Sequence, residues 1–177
     1  MTLQYDIFET PLGWVGLLAS PGGLRRTTLP KDSPAECMAD LGPEADNASL
    51  SPERFTDLKL KLISYLEHEP VSFDDEPIDV DDATPFLRAA WDACRTIPRG
   101  ETRSYQWLAA QAGNPRASRA AGQSMARNRL PLIIPCHRVI GSDGGLHGFG
   151  KGTSALDLKQ SLLTLETEGA DGSTSSP

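Results

Sequence analysis

The chain has 177 residues and a mass of 19.1 kDa, with 38% hydrophobic and 23% charged residues, enough apolar content for one or two domains with a buried core. No apolar run approaches the ~20 residues of a membrane-spanning helix, and the first residues lack the basic and apolar regions of a signal peptide. Three widely spaced cysteines, Cys37, Cys94 and Cys136, form no disulfide framework, so a cytoplasmic, reducing compartment and no membrane partner are expected.

The net charge of −7 is unevenly placed. Residues 1–82 hold 6 basic against 17 acidic side chains, a net of −11, whereas residues 83–177 hold 11 against 7, a net of +4. From Arg95 to Gly152 nine basic residues face only Glu101 and Asp143, a net of +7. An acidic half thus carries a cationic half able to meet phosphate.

The expected fold class is α/β: a small N-terminal α/β domain, then a mainly helical, winged-helix-like helix-turn-helix domain. In chain order, Leu3, Tyr5 and Ile7 alternate as in a half-buried strand, and strands at 14–19 and 24–29 meet across Ser20-Pro21-Gly22-Gly23. Ser33-Pro34-Ala35-Glu36 is a capping-box helix start, and Ser51-Pro52 opens a helix with Phe55, Leu58, Leu62 and Leu66 inward. This half reads as scaffold over 1–82, closing on an acidic stretch, 74–82, expected to be a solvated linker.

The second domain is expected over 83–169, with a Ser/Gly-rich tail at 170–177. Thr84-Pro85 starts a helix with Phe86, Leu87, Ala90, Trp91 and Cys94 inward, stopped by Pro98. Ser104 caps a second helix closed by Gly113, and Asn114-Pro115 caps a third at once, the pattern of a helix-turn-helix. In that third helix Ala117, Ala120, Ala121 and Met125 form one face, and Arg116, Arg119 and Gln123 the other. Small residues permit close approach to a duplex, and the arginines supply charge and a planar wedge.

After Asn128 an apolar, strand-like run, Pro131 to Ile134, is interrupted by Pro135-Cys136-His137-Arg138 and resumes at Val139-Ile140. Proline deprives a strand of a donor and forces a kink that can hold a thiol at a pocket floor. A cysteine attacks as the thiolate, which His137 could generate and a carboxylate could support. A small buried hydrophobe explains Cys136 equally well on spacing alone. Cys136, His137 and His147 lack the paired spacing that fixes a tetrahedral metal, so no metal is expected.

The run Ile134-Pro135-Cys136-His137-Arg138-Val139 resembles the active-site motif of the O6-alkylguanine-DNA alkyltransferases, the methylated-DNA–protein-cysteine methyltransferases. The resemblance extends to 97–106, 114–122 and 158–166, in the family's order over Phe86 to Glu166. It implies direct reversal of damage. An O6-alkylguanine is flipped from double-stranded DNA, and its alkyl group passes irreversibly to Cys136, with O4-alkylthymine a second candidate substrate. It also implies no cofactor and a monomer.

Carried over by position, Cys136 is the acceptor, His137 its base through a water, and Glu166 the group that orients His137. Tyr105 donates a proton to the leaving guanine, and Lys159 and the backbone near Phe149 support the base. Arg119 is the finger that fills the gap left by the flipped nucleotide, with Arg116, Gln123, Arg127, Arg138 and Ser142 as further DNA contacts. Asn128 is the hinge between recognition helix and reactive loop. The spacing of Lys159, Leu163 and Glu166 also places them on one helix face.

Departures from the family pattern are Arg129 for the usual proline, Phe149 for a frequent tyrosine, Ser161 for a common tryptophan, and a longer Phe149–Lys159 stretch containing Lys151. The zinc ligands of some members have no equivalents. Three rival readings are a non-catalytic lesion-binding relative, a helix-turn-helix transcription factor with a structural cysteine, and a multiple-turnover cysteine hydrolase. The first requires tryptophan at position 136, where this chain has cysteine.

Overall fold

The computed structural model describes residues 2–145 and 153–174, with side chains for all of these except 153–156 and 168–174. Its chain folds as two units, Met1–Asp81 with Arg129–Ile133, and Asp82–Asn128 with Ile134–Pro177. The contiguous division expected from sequence does not anticipate that 129–133 joins the first unit.

In the first unit, β1 (Gln4–Thr10) and β2 (Gly13–Ser20) form an antiparallel hairpin whose corner is tied by the Thr10 hydroxyl donating to the Gly13 carbonyl at 2.6 Å. Gly13 has φ 134°, and a Cβ there would fall 2.6 Å from the Lys31 carbonyl oxygen, so only glycine fits. β3 (Gly23–Thr27) lies antiparallel to β2. β4 (Ser49–Leu50), a two-residue strand that the sequence reading did not contain, runs parallel to β1, giving the order β3-β2-β1-β4. α1 (Pro34–Leu41) begins with the expected box: Ser33 Oγ accepts from Glu36 N–H at 3.2 Å, and Glu36 accepts from Asp32 N–H at 3.0 Å. Its Leu41 packs with Leu18 and Ala45. Ahead of α2 (Thr56–Leu66), Pro52–Phe55 is a 3-10 turn, and Phe55, Leu58, Leu62 and Leu66 are buried as their period requires.

Two expectations change here. The β1 face opposite Tyr5 and Ile7 buries Asp6, whose carboxylate meets Lys59 at 2.8 Å, so a charge sits inside only because it is paired. The acidic stretch is not wholly solvated. Leu24 N–H donates to the Pro77 carbonyl at 3.0 Å, Asp79 N–H to the Leu24 carbonyl at 2.7 Å, and Asp79 pairs with Arg25. Unpaired β3 edge groups draw it in, and Val80 is buried.

In the second unit, Thr84 caps α3 (Pro85–Arg95), which buries Ala90, Trp91 and Cys94, while Phe86 and Leu87 are only half-buried. β5 (Arg103–Ser104) leads into α4 (Tyr105–Gln111), where Ser104 Oγ accepts from Trp107 N–H at 3.0 Å. α5 (Ser118–Ala126) follows, tied to α3 by Trp91 Nε1–H donating to the Ser124 carbonyl at 2.9 Å. Arg116 precedes this helix rather than joining it. Asn114 Oδ1 caps its N–H at 3.2 Å in a turn that delays α5 to Ser118. β6 (Val139–Ile140) pairs parallel with β5, and α6 (Thr153–Thr174) ends the described chain. The expected tail from 170 is thus helical to Thr174, because its one glycine, Gly172, costs a helix about 1 kcal/mol without ending it.

Candidate active site

The run read as a strand before the cysteine is a turn. Leu132 takes φ 77°, an unusual conformation for a non-glycine residue, while Leu130, Leu132, Ile133 and Ile134 are all buried. Apolarity here reports burial, not extension. Pro135 then starts a single 3-10 turn, Cys136–Arg138, in which Cys136 N–H donates to the Ile134 carbonyl at 2.7 Å and Arg138 N–H to the Pro135 carbonyl at 2.9 Å. This turn separates three consecutive side chains. Asn128 Nδ2–H donates to the Ile134 carbonyl at 2.8 Å, and its amide also bonds to Cys136.

α6 supplies the polar floor. Lys159 and Glu166, seven residues apart, lie on one face and are 1% and 0% exposed. The Glu166 carboxylate accepts from His137 Nε2 at 2.8 Å, from Arg138 Nη2 at 2.8 Å and Nε at 2.9 Å, and from Gly100 N–H at 3.4 Å. Burial pushes this carboxyl up, but the bonds and charge of His137 and Arg138 outweigh it and hold Glu166 well below the usual carboxylate range. With Nε2–H given to Glu166, Nδ1 is the ring nitrogen that can accept a proton. Burial holds the His137 imidazole below its ordinary value against the pull of Glu166, so it rests neutral.

Cys136 is buried, and that burial raises its thiol despite the opposing influence of Asn128 and Lys159. It rests as a thiol that needs a base. Lys159 Nζ donates to the Val139 carbonyl at 2.7 Å and lies 5.8 Å from the centre of the Tyr105 ring. Burial lowers the lysine to about 8, opposed by Cys136 and Cys94. Tyr105 is pushed up to about 12 by burial and by Cys136, so its phenol keeps a proton to give. The five residues expected at the reaction centre therefore fall together.

The expected DNA contacts divide. Arg119, Gln123 and Arg127 are exposed on or just after α5, Arg116 in the preceding turn, and Ser142 in the turn at 141–145. Arg138 differs from these: its side chain is 12% exposed and bonds to Glu166 and to the Ile97 carbonyl, 2.7 Å from Nη1. Nothing in the local sequence marks this role, since Ile97 and Glu166 are 41 and 28 residues away. Cys94 was likewise read only as core. It is buried, and that burial, with Cys136 a smaller cause, holds its thiol well above the ordinary value. Phe149, His147 and Lys151 lie outside the described residues. Among the described residues no group of three or more His, Cys, Asp or Glu is placed to hold a metal ion, and no helix is long and apolar enough to cross a membrane.

Fold and site together define a helix-turn-helix protein with a buried thiol next in sequence to a histidine that is bonded to a buried carboxylate. The family pattern described as the DNA-binding domain of 6-O-methylguanine DNA methyltransferase matches residues 85–168. A methylated-DNA–protein-cysteine methyltransferase of Methanosarcina acetivorans is 37% identical over 164 residues, 93% of this chain and 98% of the relative. The O6-methylguanine methyltransferase of Mycobacterium tuberculosis superposes with a TM-score of 0.79 at 31% identity over 94% of both chains. A structure of that protein in complex with DNA gives 0.75 at 32% identity, again over 94% of both. This chain belongs to the methylated-DNA–protein-cysteine methyltransferase family.

Proposed function

We propose that the chain repairs O6-alkylguanine in duplex DNA by taking the alkyl group onto Cys136, once per molecule. The observation that carries this reading is the buried set of Cys136 and His137, in a turn that follows an exposed arginine-bearing helix of a helix-turn-helix, with Glu166 of α6 bonded to His137. The DNA complex of the mycobacterial relative supports DNA as the partner. A guanine stacked in duplex cannot reach a buried sulfur, so the base must be extruded, at a cost of a few kcal/mol that Arg119 offsets by occupying the gap.

In the pocket the neutral His137 takes the Cys136 proton through a water, and Glu166 stabilises the resulting imidazolium. The thiolate attacks the alkyl carbon, so the S–C bond forms as the O6–C bond breaks. Tyr105 protonates the departing guanine and recovers its proton through solvent, while Lys159 offsets the sulfur's charge during attack. The product is a thioether, which no step returns to a thiol. Three buried cysteines without a disulfide suit a reducing, cytoplasmic setting.

The test is intact-protein mass after exposure to an oligonucleotide containing O6-methylguanine. One methyl group per protein, mapped to Cys136, is expected. Methylation of Cys37 or Cys94, or repeated turnover, refutes the proposal.

A further inference from the structure

We propose that Thr27, in the first unit, is a positioning residue for the reactive cysteine, an inference that rests on the alkyl-acceptor reading above. The chain leaves the second unit after Asn128 and re-enters it at Ile134, and the intervening Arg129–Ile133 is a strap that belongs to the first unit. Two bonds from Thr27 fasten the strap. Its backbone N–H donates to the Arg129 carbonyl at 2.9 Å, and its hydroxyl donates to the Pro131 carbonyl at 2.8 Å. Thr27 is the last residue of β3, so its outward N–H has no ladder partner there, and the strap takes its place.

The strap's shape matters to the site because its two ends carry the groups that hold Cys136. Asn128, at one end, donates to the carbonyl of Ile134, at the other, and that same carbonyl accepts the Cys136 N–H. A shift of the strap therefore moves the anchor of the Cys136 backbone and the amide that bonds its sulfur. Leu132 holds a left-handed conformation that a leucine does not adopt without surrounding constraint. Carbonyls pinned at Arg129 and Pro131 supply that constraint directly before it. The hydroxyl, not the bulk, of Thr27 makes the second pin, and serine keeps it whereas valine keeps only the shape.

The experiment measures, with free O6-benzylguanine, both the number of equivalents taken up and the first-order rate of uptake. Free base removes any contribution of DNA contacts. Thr27→Val is expected to reach one full equivalent about tenfold more slowly, since small misplacements of a reacting group carry large rate costs. Thr27→Ser is expected near the wild-type rate. A purely structural role instead lowers the equivalents in proportion to misfolded protein and leaves the rate of the remainder unchanged, and that result overturns the inference, as does a valine variant indistinguishable from wild type. If the valine protein does not fold, Thr27→Ala removes the same hydroxyl with more room and reads the same comparison. Wild-type protein that takes up neither a benzyl group from the free base nor a methyl group from the O6-methylguanine oligonucleotide refutes the alkyl-acceptor reading itself, together with this inference; where only the oligonucleotide reacts, the same comparison of variants is read with it. A reactive wild type with an unaffected valine variant refutes only the role of Thr27.

Discussion

Replacing Arg138 with leucine removes the guanidinium from a carboxylate that has no exposure to water. Two of its contacts with Glu166, at 2.8 and 2.9 Å, are charge-assisted hydrogen bonds, and a third polar contact, to the Ile97 carbonyl, is lost with them. Bonds to charged groups contribute about 1.5–3 kcal/mol each, and removing one partner of a buried pair costs about 3–5 kcal/mol. At about 2–4 °C per kcal/mol for a chain of this size, the melting temperature should fall by about 10 °C at pH 7.

The same substitution changes the dependence of stability on pH. In the wild type Glu166 sits below its unfolded value of about 4.3, so its stabilisation is full above that pH and is lost as the pH falls toward the folded value. Without Arg138, the His137 bond alone opposes burial and the folded value rises toward the unfolded one. The acid-side loss from this group should then shrink. Thermal melts at pH 4 and pH 7 check both statements, with Arg138→Lys as a control that keeps the charge but loses the bidentate fork. A fall of less than about 3 °C, or an acid slope identical to wild type, refutes the account of Arg138 as the counter-charge of Glu166.

Cys136→Ser should abolish alkyl uptake while duplex binding, measured by fluorescence anisotropy, stays near wild type, because a hydroxyl is far less readily ionised than a thiol. Arg119→Ala should slow repair in duplex much more than uptake from O6-benzylguanine, and Arg119→Lys should not restore it, since an ammonium lacks a stacking face; equal slowing on both substrates removes the wedge role. The rate with O6-benzylguanine should stay flat through about pH 6.5, because burial keeps His137 neutral where an ordinary histidine is half protonated, and should change near pH 8 as Lys159 gives up its charge. A step at pH 6.5 in stopped-flow or quench data contradicts the buried, neutral base.

Local signals were legible in the sequence because they act over a few residues. The caps at Ser33, Thr84 and Ser104 each satisfy a backbone N–H three positions on, so residue type and spacing suffice to find them. The pair Lys159 and Glu166 could be placed on one face from helical period alone, but their direction toward Cys136 came from resemblance to a family. Features made by distant partners were not legible. Arg138 reads as one more basic residue until Glu166 and Ile97 are brought to it, and the acidic stretch reads as linker until the edge of β3 offers it a carbonyl and an N–H. The apolar run before the cysteine fits a strand and a buried turn alike, because hydrophobicity does not encode the sign of φ at Leu132.

The parallel pairing of Arg103 with Val139 and Ser104 with Ile140 acts as a ruler between the phenol and the sulfur. Tyr105 follows one strand directly, and Cys136 precedes the other by three residues. An insertion of one residue in the 3-10 turn between Cys136 and Val139 would shift the thiol by about 2 Å and swing it by about a third of a turn. Past Ile140 the chain has left the measured interval, so added length there alters neither position. Length variation among homologous chains should accordingly be filtered by place, forbidden between acceptor and strand and permitted beyond it, so that the loop after Ile140 is free to differ in size while the chemistry upstream keeps its spacing.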